Sequence, residues 1–139
     1  MKRKVMMIML LLPFTWLVMA CSNDDDSKSV RQQLVGVWKT SMSSSNWKQI
    51  ELVSDGTLHY GLKINSNGEY SYNSLDESSH WSYNESEQTI SMYSDDGYYA
   101  YTYKVNMADD GNSWAGYEIK SDKTKTYTFT RVENAKKVN

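Results

Sequence analysis

Tyr98-Tyr99-Ala100-Tyr101-Thr102-Tyr103-Lys104-Val105-Asn106-Met107 is the segment that most clearly predicts the fold. From Tyr99 to Met107, every second side chain is aromatic or aliphatic, and smaller or polar side chains lie between them. Alternation with a period of two places the two sets on opposite faces of a β-strand. The segment therefore predicts a strand that presents one face to a core.

Eight further segments of similar composition surround this one. Most are separated by short turns, such as Asn65-Ser66-Asn67-Gly68, whose Asn-Gly pair is a strong hairpin signal. The nine candidate strands are 35–42, 47–53, 57–64, 69–75, 79–84, 88–93, 98–107, 114–120 and 124–132. Short turns favour antiparallel neighbours, and a meander with one apolar face avoids exposed edges by closing. We expect an all-β, antiparallel up-and-down meander of about 8–10 strands that closes into a barrel. An open sandwich is the alternative.

The amino-terminal residues predict export. Lys2, Arg3 and Lys4 precede the mostly apolar stretch 5–18, and small Ala20 follows it. This is the organisation of a signal peptide, and the stretch is shorter than the about 20 apolar residues of a membrane-spanning helix. We predict a signal peptide over residues 1–20.

Val18-Met19-Ala20-Cys21 resembles the lipobox of bacterial lipoproteins. The resemblance implies cleavage before Cys21, lipidation of its sulfur and acylation of the new amino terminus with chains such as palmitate. Cys21 is the one cysteine of the chain, so a disulfide within it is excluded. The alternative is an ordinary secreted protein with a stray cysteine near its cleavage site.

The residues after the cysteine bear on location. Ser22 follows Cys21, which resembles outer-membrane sorting, and Ser22-Asn23-Asp24-Asp25-Asp26 resembles the acidic export tag of surface-displayed lipoproteins. The expected location is therefore the outer membrane, lipid-anchored and facing the cell surface. A solvated acidic linker is the alternative reading of the same residues. Either way, we predict a tether over 21–33, a barrel domain over 34–133 and a short tail over 134–139.

The charge balance disfavours some classes of partner. The whole chain has 15 basic and 17 acidic side chains, and removal of the signal peptide would leave the mature part more acidic. Nothing in this balance favours nucleic acid or an anionic membrane surface. The membrane contact that we expect is the lipid anchor at Cys21.

The domain resembles the lipocalins, and in particular the small lipocalin-like lipoproteins of Gram-negative bacteria. The resemblance rests on Leu34-Val35-Gly36-Val37-Trp38-Lys39, which looks like the G-x-W opening strand, and on Tyr127-Thr128-Phe129-Thr130-Arg131 near the end. It implies that Trp38 packs at the closed end of the barrel beneath Arg131. A second lipocalin motif of the T-D-Y type and a helix after the barrel are missing from the sequence.

Aromatic residues are the strongest functional signal, with eleven Tyr and five Trp in the chain. We expect a cavity that binds a small apolar or amphipathic ligand. Its candidate lining residues are Tyr60, Tyr70, Tyr72, Trp81, Tyr101 and Tyr103. In a second interpretation these rings only fill the barrel. In a third, Trp47, Tyr93 and Tyr98 form an outward patch for a glycan or a protein.

Catalysis is not predicted. His59 and His80 are expected at the surface or at a strand edge, and no Cys/His cluster suggests zinc. The acidic pairs at 76–77, 95–96 and 109–110 lack calcium-loop spacing, and two of them precede Gly in tight turns. We therefore expect no catalytic residues, no metal and no cofactor.

Replacing Cys21 by Ser should release the protein from the membrane fraction and abolish labelling with a fatty-acid analogue. The physical reason is that one thiol carries the anchor, and each buried CH₂ of the acyl chains contributes about 0.8 kcal/mol to membrane binding. Ser22→Ala is the matched control and should stay lipidated. Unchanged membrane association of Cys21→Ser would contradict the lipobox prediction.

Overall fold

The computed structural model describes residues 28–73, 79–120 and 123–138. Helix α1 (Val30–Leu34) comes first, and a 3₁₀ turn spans Ser45–Trp47. The strands of the described residues are β1 (Gly36–Thr40), β2 (Gln49–Leu52), β3 (Leu58–Tyr60), β4 (Lys63–Ile64), β5 (Glu69–Ser71), β6 (Ser79–Asn84), β7 (Thr89–Ser94), β8 (Ala100–Met107), β9 (Ser113–Lys120), β10 (Lys123–Arg131) and β11 (Lys136–Lys137).

Eight strands form one antiparallel sheet in the order β3-β2-β1-β10-β9-β8-β7-β6. Neighbours in the sheet are neighbours in sequence except β1 and β10, which pair so that Trp38 lies opposite Arg131. The far edges approach each other through a bridge between Thr57 and His80, and the Trp81 amide donates to Gly56 O at 2.9 Å. The sheet is thus nearly closed, and the predicted all-β antiparallel meander is confirmed.

Large aromatic side chains fill the inside of this sheet. The Trp114 and Phe129 rings stack with centroids 3.6 Å apart, and Trp38 meets Trp114 edge-on at 6.1 Å. Gly116 permits this packing, because a Cβ there would lie 3.1 Å from atoms of both stacked rings. The buried members of this main core are Leu34, Trp38, Met42, Trp47, Ile50, Leu52, Leu58, Trp81, Ile90, Met92, Tyr103, Val105, Trp114 and Phe129.

The predicted strand 57–64 is wrong in one respect, because Gly61 divides it. Gly61 has a φ of 66°, in the left-handed region that glycine adopts without steric cost. β3 stays in the main sheet, whereas β4 turns away and pairs with β5 in a second sheet of order β11-β5-β4. An unbroken strand over 57–64 would place Leu58 and Leu62 on one face. The two residues instead lie in different cores.

Secondary structure also lies on both sides of the range 34–133. Residues 30–34 form α1, whose capping box joins the side chains of Ser29 and Gln32 to each other's main-chain amides, and Leu34 is fully buried. The predicted tail contains β11, which runs parallel to β5 with Lys136 opposite Glu69. In the part of the chain that the structure describes, no helix is long and apolar enough to cross a membrane.

Gly116→Ala should lower the free energy of unfolding by about 1–3 kcal/mol, because the new methyl group overpacks the stacked rings. Urea denaturation measures the change as a shift in midpoint at constant slope. The exposed Ser82→Ala in β6 is the control, and its effect should stay within about 0.5 kcal/mol. Equal stability of wild type and Gly116→Ala would show that the rings are not tightly packed there.

Candidate functional site

The barrel has two chemically different ends. β8 runs between them, from Ala100 beside the turn at 95–98 to Met107 beside the turn at 108–112. Its eight residues span about 23 Å at a rise of about 3.3 Å per residue. We use the name closed end for the region of α1, Trp38 and Arg131. The name mouth cleft denotes the opening defined below at the other end of β8.

The closed end is organised around Trp38. Its indole is fully buried, and its Nε1 donates to the main-chain oxygen of Leu34 at 2.8 Å. The guanidinium carbon of Arg131 lies 4.3 Å from the centroid of the Trp38 ring. This is a cation–π contact with the cation held over the indole face. Arg131 therefore lies over Trp38, the contact that was expected between these two residues.

Main-chain oxygens hold the guanidinium in place. Its Nη1 donates to Val35 O at 2.9 Å, and its Nη2 donates to Gly111 O at 2.9 Å and to Gln33 O. Nε adds a bond to Gly111 O at 3.2 Å, and burial lowers the pKa of Arg131. These bonds join β10 to α1, to Val35 between α1 and β1, and to the β8–β9 turn. A polar cleft of about 610 Å³ lies beside them, but Nε and Nη2 of Arg131 are committed to the main chain.

The mouth cleft is an opening of about 350 Å³. Three segments that are distant in sequence build it: the 3₁₀ turn, the end of β3 and the β7–β8 turn. Its lining residues are Asn46, Trp47, Tyr60, Asp96, Tyr98 and Tyr99. Four of these six are aromatic and none is basic, so the described lining combines ring surfaces with one carboxylate.

The rings of the mouth cleft support one another. The Trp47 and Tyr60 rings are nearly parallel, with centroids 5.2 Å apart. Tyr99 meets Trp47 edge-on at 5.0 Å, and its hydroxyl donates to the Ser79 hydroxyl at 2.6 Å. Such aromatic pairs contribute about 0.5–1.5 kcal/mol each beyond simple burial. The wall formed by these three rings is therefore largely preformed.

A ladder of tyrosines continues from the cleft into the barrel. Tyr99 stacks on Tyr101 at 5.7 Å, and Tyr101 stacks on Tyr103 at 6.1 Å. Burial, followed by the nearby Glu118 carboxylate, raises the pKa of Tyr103, so its phenol is neutral. Ring surfaces thus continue below the cleft, where Tyr103 belongs to the main core.

The β7–β8 turn sets the charge and the exposure of the cleft. The Oδ1 of Asp96 accepts a hydrogen bond from the Tyr98 amide at 2.9 Å, and this bond, followed by one with Ser94, lowers the pKa of Asp96. The carboxylate is therefore anionic at neutral pH. Tyr98 itself is 87% exposed, so its ring stands at the rim.

The structure divides the predicted ligand-binding residues into two groups. Tyr60, Trp81, Tyr101 and Tyr103 belong to the main core or pack against it. Tyr60 lines the mouth cleft, whereas the Trp81 indole donates to Val53 O at 2.8 Å and lies beneath Arg31.

The prediction is wrong for Tyr70 and Tyr72, which pack in a second core on the outer face of β1. The Tyr70 hydroxyl donates to Glu51 Oε1 at 2.8 Å, and Tyr72 stacks on His59 at 3.8 Å. The physical reason is the turn at Gly61, which carries β4 and β5 out of the main sheet.

The structure also places the predicted patch residue Trp47, one of the two histidines and the acidic residues of two turns. Trp47, expected in an outward patch, is only 9% exposed, so that prediction is wrong for it. His80 is part-exposed and lies 2.6 Å from Asp95. Asp96 and Asp110 each accept a hydrogen bond from the backbone amide two residues later in the chain, as expected of Asp in a tight turn. Cys21 and the acidic pair 76–77 lie outside the described residues.

Sequence reasoning did not select Asn46, Asp96 or Tyr99 as lining residues. The available signal was the turn Asp95-Asp96-Gly97 directly before the most strongly alternating strand. Within 28–73, 79–120 and 123–138, no three His, Cys, Asp or Glu side chains are grouped as a metal site would need.

Comparisons with known proteins give no assignment. A scan against protein-family models and searches of curated proteins and of solved structures found no match for this chain.

Arg131→Lys should destabilise the protein by about 1–3 kcal/mol, because a lysine cannot satisfy the carbonyl oxygens that the guanidinium joins. Arg31→Lys is the matched control, since Arg31 also lies over an indole, 4.8 Å from Trp81, and donates to Ser54 O. Its effect should stay within about 0.5 kcal/mol, as expected for an exposed contact. If chemical denaturation showed the same loss of unfolding free energy for Arg131→Lys and Arg31→Lys, the special role of Arg131 would be contradicted.

Proposed function

We propose that the protein is a lipid-anchored, lipocalin-like lipoprotein that binds a small apolar or amphipathic ligand without catalysis. The observation that carries the proposal is the mouth cleft, where aromatic rings surround an opening of about 350 Å³. Small-molecule sites are commonly concave, largely apolar and about 300–1,000 Å³ in volume, with a few placed polar groups. Asn46 and Asp96 supply such groups here.

The lipocalin-like assignment draws support from the closed end. First and last barrel strands pair with Trp38 opposite Arg131, and the guanidinium lies over the indole. One end of the barrel is thereby sealed by packing and hydrogen bonds. Ligand access is proposed at the opposite end, where Tyr98 is exposed.

The point at which the chain enters the described domain supports binding from the aqueous side. Lys28 is the first described residue, and its main-chain oxygen accepts a hydrogen bond at 3.0 Å from Gln33 Nε2 in α1. The chain therefore enters the domain at the closed end. With Cys21 in the outer membrane, as proposed, the closed end is the end of the domain at which the anchored segment enters, and we propose that the mouth cleft at the other end faces the cell exterior.

A binding role is proposed over catalysis because of the titratable groups in the cleft. Its described lining contains one carboxylate, that of Asp96, and the phenols of three tyrosines. General acid–base chemistry at neutral pH favours a group with a pKa near 7, whereas the pKa of Asp96 is lowered by hydrogen bonds. This arrangement suits orientation of a ligand better than proton transfer.

A glycan or a protein is the second candidate partner, and the exposure of Tyr98 favours it. Tyr93, at the other side of the same turn, is 38% exposed. Large binding patches on proteins exceed a few hundred Å². Trp47 is buried, so the third member of the predicted outward patch is missing, but a single sugar ring could stack on the exposed Tyr98.

Native mass spectrometry of the full chain, extracted gently from the membrane, tests the proposal. Wild type should retain a small molecule, and Tyr98→Ala should lose at least about half of the bound fraction because an aromatic ring at the rim of the cleft is removed. Tyr93→Ala, which removes an exposed ring outside the described cleft lining, should retain it.

Two results would contradict the proposal. One is a ligand-free mass in every preparation together with no spectral change at the mouth cleft on addition of small apolar or amphipathic molecules. The other is a retained molecule whose occupancy is the same in wild type, Tyr98→Ala and Tyr93→Ala.

A further inference from the structure

The charge of the mouth cleft restricts what it can bind. Asp96 places a carboxylate in the lining, and no lysine, arginine or histidine is among the lining residues that the structure describes. The neighbouring Asp95 is committed to a contact with His80 at 2.6 Å. An anionic headgroup in the cleft would face a carboxylate without a lining cation to compensate it.

The aromatic rings, like the carboxylate, favour a positively charged ligand. The face of a Tyr or Trp ring carries partial negative charge and attracts a cation within about 6 Å of its centroid. Trp47, Tyr60 and Tyr99 hold one another in fixed relative orientations, and Tyr98 adds an exposed ring. A cleft that combines ring faces with a carboxylate favours a ligand that is both positively charged and apolar.

We infer that the mouth cleft binds an organic cation, namely an alkylated ammonium group that carries apolar substituents. The inference rests on the proposed binding function and names the ligand class for that site. The alkyl groups contact the rings of Trp47, Tyr60, Tyr98 and Tyr99, and the positive charge is balanced by Asp96. The Asn46 side chain at the rim is available to a polar substituent of the ligand.

Other ligand classes fit the same cleft less well. A calcium ion takes six to eight oxygen ligands, and the described lining offers one carboxylate among aromatic rings. Fatty acids and phosphates carry the wrong charge. A neutral sugar could stack on the rings but carries no positive charge to pair with the Asp96 carboxylate.

Tetramethylammonium is the probe that tests this inference, with tert-butanol as the neutral comparison and acetate as the anion. Each is titrated into the full chain in an uncharged detergent, and the ring signals of Trp47, Tyr60, Tyr98 and Tyr99 are followed by NMR. The cation should shift these signals in a saturable way, with an affinity at least about tenfold higher than that of tert-butanol. Acetate should not bind.

Matched variants separate charge from fold. Asp96→Asn should weaken tetramethylammonium binding by about five- to tenfold, because the carboxylate is lost while the amide oxygen can still accept the turn hydrogen bond. Asp110→Asn is the control, since Asp110 accepts the Asn112 amide at 2.9 Å in the same kind of turn at the closed end. Its affinity should stay within about twofold of wild type.

The outcomes distinguish this inference from the function on which it rests. Equal binding of tetramethylammonium and tert-butanol, or equal affinity of Asp96→Asn and wild type, would overturn the organic-cation inference but leave ligand binding at the cleft intact. No response of the ring signals to the cation, to neutral molecules or to anions would overturn both.

Discussion

The pairing of the first and last barrel strands is the constraint on which the rest of the structure depends. Because β1 and β10 are joined with Trp38 opposite Arg131, a guanidinium lies over a buried indole and donates to the main-chain oxygens of Gln33, Val35 and Gly111. The charged group is tolerated there because it is hydrogen-bonded and stacked rather than only buried. This arrangement closes the barrel at one end and fixes α1 against it.

Because one end of the barrel is sealed, the proposed ligand-binding residues lie at the other end. β9, which carries Trp114 beside Trp38, pairs with β8, and the tyrosines of β8 lead towards the opposite end of the barrel. Rings that meet edge-on and in stacks hold an opening in shape before any ligand enters, which reduces the entropic cost of binding. The Asx-type turn at Asp96 then places a lone carboxylate among those rings. Shape and charge together define the proposed site.

The local sequence pattern was sufficient to predict the antiparallel sheet. It was not sufficient to predict where the chain leaves that sheet. The alternation in 98–107 and the turn at Asn65–Gly68 depend on neighbouring residues, so both were predictable. The break at Gly61 was not predictable, because glycine also occurs within strands and the sequence pattern does not show that its φ is left-handed. For the same reason, the sequence did not show that Tyr70 and Tyr72 lie outside the main core. Five-residue α1 is too short to show helical periodicity, and the mouth cleft joins segments that only the tertiary fold brings together.

The position of a bound molecule is the most direct test of the account as a whole. Intermolecular nuclear Overhauser effects between the methyl protons of tetramethylammonium and the aromatic ring protons of the full chain would report that position. We predict contacts with the rings of Trp47, Tyr98 and Tyr99. Contacts instead with Trp38 or Trp114 would show that the end sealed by Arg131 is the open one, and would contradict the account.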